Sequence, residues 1–147
     1  MIQRGVEIPL AELYLEDETA WLEAMSRLVA EKRFPELDLE HLSEFLFDIA
    51  RRDRREVLSR LAVLLTHLLK WDHQPENRSN SWQGTIRLQR KELLLLLESG
   101  TLRNHAAAVL QEAYAWAVDQ ASAETGLPEN SFPTECPYTL EQTLGES

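Results

Sequence analysis

The chain has 147 residues, enough for one domain of ordinary size that needs no disulfide or metal to fold. A single cysteine excludes an internal disulfide, and a hydrophobic fraction of 44% argues against wholesale disorder. The first residues lack the basic start and apolar run of a signal peptide, and no apolar stretch has the length of a membrane span. We therefore expect a cytoplasmic protein, without a membrane partner, that forms a single helical domain over residues 1–147.

Charge is distributed unevenly along the chain, whose net charge is −10. Residues 1–50 carry 12 acidic and 4 basic side chains, and residues 92–147 carry 9 acidic and 1 basic. Residues 51–91 carry 10 basic and only 4 acidic side chains. Two interpretations stay open: the acidic ends fold against the basic middle and neutralise it, or a basic face remains available to an anionic partner.

The first predicted helices precede the basic middle. One runs over residues 18–32, with apolar side chains at helical spacing on one face and Asp17 as its N-cap. The next begins near Leu39 and is capped by Asp38. Both starts are predicted from the same local signal, a short acidic side chain placed before an apolar periodic run.

The continuation of the second helix leaves two alternatives. Asp53 and Glu56 have capping-box spacing, so either a new helix begins at Arg54 or a single bent helix passes through this point. The segment over residues 57–71 is apolar on more than one face, as is typical of a central helix covered by its neighbours. It is expected to end before Pro75, which cannot continue a helix.

A further helix is predicted over residues 82–98, after a polar loop. Ser79, Asn80 or Ser81 supplies its cap, and Gly100 suits a left-handed stop after it. These roles are predicted because the residues lie next to the two ends of the apolar periodic run. The sequence does not decide which of the three candidates is the cap.

The last long helix is predicted over residues 102–125, capped by Thr101 and stopped by Gly126. Aromatic side chains at Phe132 and Tyr138 suggest that the following tail is laid against the helices, and Thr139 is placed to cap one short final turn. No alternating strand pattern or hairpin signal is present. The sequence therefore predicts an all-α fold, an antiparallel bundle of four to five helices with a short C-terminal tail packed on it.

A set of short sequence blocks runs in a fixed order from about Tyr14 to Leu144. The blocks are Trp21, residues 37–40, 59–71, 74–75, 78–82, 85–86, 89–90, 124–127, 132–133 and 136–139. Together they resemble domain-of-unknown-function family 29. The resemblance implies an all-helical bacterial protein, of a kind common in cyanobacteria, with no assigned activity.

Tryptophan, arginine and serine side chains cluster around the loop between the two central helices. Guanidinium groups bind carboxylate or phosphate at two points, and hydroxyl and free N–H groups at a helix start add donors, which favours an anion or peptide pocket. The alternative is structural: the tryptophans pack at the end of the bundle, and the arginines pair with acidic residues from the termini. The candidates are Trp71, Arg78, Ser79, Ser81, Trp82, Arg87 and Arg90.

An unbroken run of five leucines occupies residues 93–97. Because consecutive helical residues point in all directions, one or two of these leucines must face outward or contact a partner. The interface candidates are Leu94, Leu95 and Leu96.

Function is predicted mainly from what the sequence lacks. No nucleophile motif, phosphate-binding loop or helical metal spacing of histidines is present, so catalysis is not favoured and no cofactor or metal is expected. The leading hypothesis is a module that self-associates or binds another protein. One alternative is a small-ligand-binding or metal-binding enzyme with a site within residues 71–90. Another is an antitoxin-like or nucleic-acid-associated regulator, although the negative net charge disfavours nucleic acid.

Overall fold

The computed structural model describes residues 8–146, and within this range the protein is all-α, with six α-helices and no strand. This confirms the predicted fold class. None of the helices in that range combines the length and the apolar character needed to cross a bilayer. The helices are α1 (Leu10–Glu16), α2 (Glu18–Ala30), α3 (Leu39–His73), α4 (Asn80–Leu96), α5 (Gly100–Thr125) and α6 (Leu140–Leu144).

The chain divides into two compact units, one up to Ala50 and one from Arg51 onward. The N-terminal unit holds α1, α2 and the first turns of α3, and its buried apolar side chains are Trp21 and Met25 of α2. The C-terminal unit holds the rest of α3 with α4, α5 and α6. The single domain expected over residues 1–147 stays a prediction.

Helix α1 is the element that the sequence patterns did not predict. It has seven residues, and Pro9 at its N-cap makes no side-chain hydrogen bond, so the usual polar start signal is missing. Helix α2 begins as predicted, because the Asp17 carboxylate accepts a hydrogen bond of 3.1 Å from the Ala20 N–H. For these two helices, the start could therefore be predicted only where a side chain forms the cap.

Helix α3 is uninterrupted over 35 residues. Of the two alternatives, the new helix at Arg54 is wrong, because a continuous helix passes through it. No proline or glycine lies in this stretch to end the helix, and its residues are largely good helix formers. The predicted cap at its start is confirmed: the Asp38 carboxylate accepts from the His41 N–H at 3.3 Å.

The core of the C-terminal unit joins α3, α4, α5 and the tail. Leu61, Leu64 and Leu65 of α3 have no solvent exposure, and they pack in one cluster with four alanines of α5 that are also fully buried. Small side chains allow neighbouring helices to approach closely. Phe132 and Leu144 belong to the same cluster, which confirms that the tail is packed on the helices. The four alanines are Ala106, Ala113, Ala117 and Ala121.

Three of the predicted start and stop signals in the C-terminal unit are confirmed. The Ser79 hydroxyl accepts from the Trp82 N–H at 3.2 Å and caps α4. Gly126 ends α5 with a φ of +78°, a left-handed conformation that glycine adopts without the steric cost of a Cβ. Thr139 forms a capping box with Gln142 at the start of α6.

The predicted connection between α4 and α5 is wrong in two respects. Ser99, rather than Thr101, caps α5, since its hydroxyl accepts from the Leu102 N–H at 3.2 Å. Gly100 is the first residue of α5 and not a left-handed stop. The connection is so short that the cap of α5 falls within three residues of the end of α4, which leaves no room for a separate stop.

Candidate functional site

Four of the predicted site residues lie where α3 passes into α4. The Arg78 guanidinium is stacked 4.7 Å from the centre of the Trp71 ring, and its Nε donates to the Trp71 carbonyl oxygen at 2.9 Å. Arg78 thus binds a free carbonyl and an aromatic face at the end of α3, two contacts that stabilise a helix C-terminus. Ser79 caps α4, and Ser81 is exposed on the first turn of α4.

Trp82 covers an ion pair that joins α3 to α5. The Lys70 ammonium lies 4.7 Å from the centre of the Trp82 ring and 2.6 Å from Oε1 of Glu124. The amide of Gln120 donates to the other oxygen of Glu124. The hydrogen bond from Lys70, followed by that from Gln120, lowers the pKa of Glu124 from its usual range.

Arg90 fastens the C-terminal tail to α4. Its Nε donates to the carbonyl oxygen of Thr143 at 3.0 Å, and one terminal nitrogen donates to that of Gln142 at 3.3 Å. Burial lowers the pKa of the guanidinium. Gly145, at a φ of +78°, allows this approach, since a Cβ there would lie only 3.1 Å from Nε of Arg90. The role of Arg90 in this structure is therefore to cap α6.

Replacing Arg90 with alanine is expected to loosen α6. The change removes two charge-assisted hydrogen bonds to the end of α6 and should cost about 1–3 kcal/mol of unfolding free energy. Hydrogen exchange measured by mass spectrometry should show faster exchange in the peptide that covers residues 139–146. Arg87→Ala removes the same charge one turn earlier on α4 and serves as the control. Unchanged exchange in that peptide after Arg90→Ala would contradict the capping role.

The outward side of α4 carries an apolar stripe mixed with cations, formed by Arg87, Leu88, Lys91, Leu94 and Leu95, which we call the α4 face. The exposed fractions of Leu88, Leu94 and Leu95 are 53%, 38% and 55%. A cavity of about 420 Å³ lies along it, lined also by Arg90 and Glu98. Within residues 8–146, neither Arg87 nor Lys91 has a hydrogen bond or ion pair to a protein group.

The structure divides the three leucines predicted as interface candidates. Leu94 and Leu95 are exposed on the α4 face, whereas Leu96 is half-buried against the core of the C-terminal unit. Leu93 and Leu97 are buried in the same core. A turn of 100° per residue accounts for this division, because residues three or four apart share the inward side.

A second exposed stripe lies in the N-terminal unit, and no sequence pattern predicted it. It consists of Leu39, Glu40, Glu44, Leu46 and Phe47 on the first turns of α3, and we call it the acidic α3 face. The exposed fractions of Leu39, Leu46 and Phe47 are 64%, 58% and 62%. Glu40 and Glu44, one turn apart, are exposed beside them.

A polar cluster at the start of α3 orders the N-terminal unit. Trp21 Nε1 donates to Asp38 Oδ2 at 3.1 Å, and His41 Nδ1 lies 2.8 Å from the same oxygen. The Tyr14 ring stacks on His41 with their centres 4.4 Å apart. Burial acts to raise the pKa of Asp38, but hydrogen bonds from His41 and Trp21 outweigh it and hold the pKa below its usual range. Throughout residues 8–146, no group of three or more His, Cys, Asp or Glu side chains has an arrangement that could hold a metal ion.

Over residues 8–146 the fold is all-helical, and two exposed apolar stripes carry opposite charge. A family model described as "Domain of unknown function DUF29" matches residues 13–147, nearly the whole chain, and the chain belongs to this family. The family resemblance found in the sequence is thereby confirmed. No curated protein and no solved structure matches the chain.

Proposed function

We propose that the protein is a cytoplasmic self-associating module, in which the α4 face of one copy binds the acidic α3 face of a second copy. The observation that carries the proposal is the α4 face itself, three exposed leucines around two cations that have no polar partner within the described range. Scattered exposed leucines are ordinary, but a contiguous apolar stripe is typical of an interaction surface. The proposal needs no cofactor.

Charge complementarity selects the occupant of the α4 face. Arg87 and Lys91 lie among its leucines, whereas Glu40 and Glu44 flank the leucines of the acidic α3 face. Opposite charges across an interface speed encounter and fix register, and like charges exclude wrong pairings. Two α4 faces would bring cation against cation. The contact we propose is therefore heterologous, joining two different surfaces of identical chains.

The apolar side chains of the two faces also match in spacing. Leu88 and Leu95 are seven residues apart on α4, and Leu39 and Leu46 are seven residues apart on α3. Seven helical residues rise about 10 Å, so both stripes repeat over the same two turns. Two helices with this repeat can pack side by side, as helices do when apolar residues recur every two turns.

Sedimentation equilibrium over a range of protein concentrations tests this function. The average mass should exceed that of one 17.0 kDa chain and rise with concentration. It should fall when ionic strength is raised from about 0.05 M to about 0.5 M, because salt screens exposed charge pairs.

Charge reversal tests which surface is used. Arg87→Glu combined with Lys91→Glu should raise the dissociation constant about tenfold or more, since like charges then meet across the contact. Arg54→Glu combined with Arg55→Glu makes the same change in net charge at exposed positions of α3 outside both faces, and it should leave association nearly unchanged. A monomer at every concentration, or equal effects of the two double variants, would contradict the proposal.

A further inference from the structure

A groove of about 310 Å³ lies between α3 and α5 in the C-terminal unit and shares no residue with the α4 face. Its volume is at the lower end of the range for small-molecule sites, roughly 300–1,000 Å³. One end is apolar, with Ala62, Val63 and Trp116. The other end is polar, with His67, Gln120 and Glu124.

The apolar end exposes an aromatic side chain that the fold does not use. Trp116 is 50% exposed, and no other ring and no cation lies against its indole within residues 8–146. Val63, across the groove on α3, is 39% exposed. A ligand that covered these two side chains would remove apolar surface from water at little ordering cost, since both are held on helices.

The polar end presents an ionised carboxylate. Glu124 takes one hydrogen bond on each oxygen, from Lys70 and from Gln120, and each carboxylate oxygen has a second lone pair. The first of these bonds, from Lys70, lowers the pKa of Glu124, so the group is ionised at neutral pH. Lys70 itself is 8% exposed and does not line the groove. The groove therefore meets the carboxylate rather than the ammonium.

The His67 ring adds a second acceptor. Its Nδ1 lies 2.9 Å from the Val63 carbonyl oxygen, and because a carbonyl only accepts, Nδ1 carries the hydrogen. In the neutral ring, Nε2 is then the acceptor. With Glu124, the polar end offers mainly acceptors, and so it suits a head group rich in N–H donors.

We infer that this groove binds a small primary amine with an aromatic body, whose ammonium donates to Glu124 while the body packs against Trp116. An ammonium supplies three donors to the acceptors of the polar end, and it is also attracted to an indole face. A carboxylate head group would meet Glu124 as a like charge. A neutral hydroxyl would supply one donor and no charge.

The test is a nuclear magnetic resonance titration of the full-length protein with 2-phenylethylamine, followed by the indole N–H signals. The signal of Trp116, assigned by its absence in Trp116→Ala, should shift saturably. 2-Phenylethanol and 3-phenylpropionate share the aromatic body and should bind about fivefold more weakly or not at all. No shift, or equal affinity for the amine and the alcohol, would overturn the inference.

Two surface variants separate the parts of the site without disturbing the core. Trp116→Ala should abolish saturable shifts of the signals around the groove. Gln120→Lys places a competing ammonium next to Glu124 and should weaken amine binding about tenfold. Leu15→Ala, at an exposed position outside the groove and outside both faces, is the matched control and should leave binding unchanged. Wild-type affinity in either groove variant would overturn the inference.

Discussion

Replacing Trp21 with alanine is expected to lower the unfolding free energy of the N-terminal unit by about 3–5 kcal/mol, as for other buried tryptophans. Trp21 has no solvent exposure, and its ring centre lies 4.7 Å from that of Tyr14 and 5.6 Å from that of Phe45. Its indole N–H also holds Asp38. Removing it leaves a cavity among these rings and takes one donor from a carboxylate that caps α3.

Hydrogen exchange followed by mass spectrometry measures this effect unit by unit. Peptides from residues 8–50 should lose protection by the stated amount. Those from residues 51–146 report whether the two units unfold together, as a single domain would. Trp21→Phe is the control: it retains a buried ring but loses the bond to Asp38 and part of the ring volume, and it should cost less than Trp21→Ala. Wild-type protection of residues 8–50 in Trp21→Ala would contradict this account of the core.

Replacing Glu124 with alanine is expected to cost about 2–3 kcal/mol, because it leaves the buried Lys70 ammonium without its carboxylate. This cost is lower than that for a fully buried pair, because the Glu124 side chain is 35% exposed and solvent screens its charge. Urea unfolding at pH 7 measures the loss. Glu112→Ala removes an exposed carboxylate of α5 and should have little effect. A loss no greater than that of Glu112→Ala would contradict the importance of the ion pair.

The ion pair between Lys70 and Glu124 should make the unfolding free energy depend on pH. The direction of the pKa shift of Glu124 gives the sign of this dependence. The pKa of Glu124 is lowered below its ordinary value of 4.5 in the folded protein. Its contribution to stability is therefore complete above that pH and disappears as the pH falls through the lower, folded-state pKa. Glu124→Ala should remove this part of the acid dependence.

The double variant Lys70→Met with Glu124→Leu should recover most of the stability at pH 7, because it removes both charges.

The helix boundaries that could be predicted are those with a local signal. Asp17, Asp38, Ser79 and Gly126 act through atoms only a few residues away, so the sequence contains the whole interaction. The false break at Arg54 has the opposite origin. Capping-box spacing occurs there inside a helix, and no proline or glycine lies in this stretch to end it.

The contacts of the candidate site residues were harder to predict than the helix boundaries, because the contacting residues are distant in sequence. Arg90 binds two backbone carbonyl oxygens more than fifty residues away. Every residue has such a carbonyl, so the residue type at the acceptor position gives no sign of the contact. Arg87, only three residues earlier, lies on the outward side instead. The groove could not be foreseen either, since Trp116 and Glu124 meet His67 only when α3 and α5 pack together.

The most direct test of self-association mixes two variants that each carry one reversed face. Arg87→Glu with Lys91→Glu makes the α4 face acidic, and Glu40→Lys with Glu44→Lys makes the acidic α3 face basic. Alone, each variant opposes like charges at the contact and should sediment as a monomer. Mixed in equal amounts, every α4 face meets an α3 face of opposite charge, and complexes larger than one chain should return. Monomers in the mixture, with wild-type protein associating under the same conditions, would contradict the pairing of these two faces.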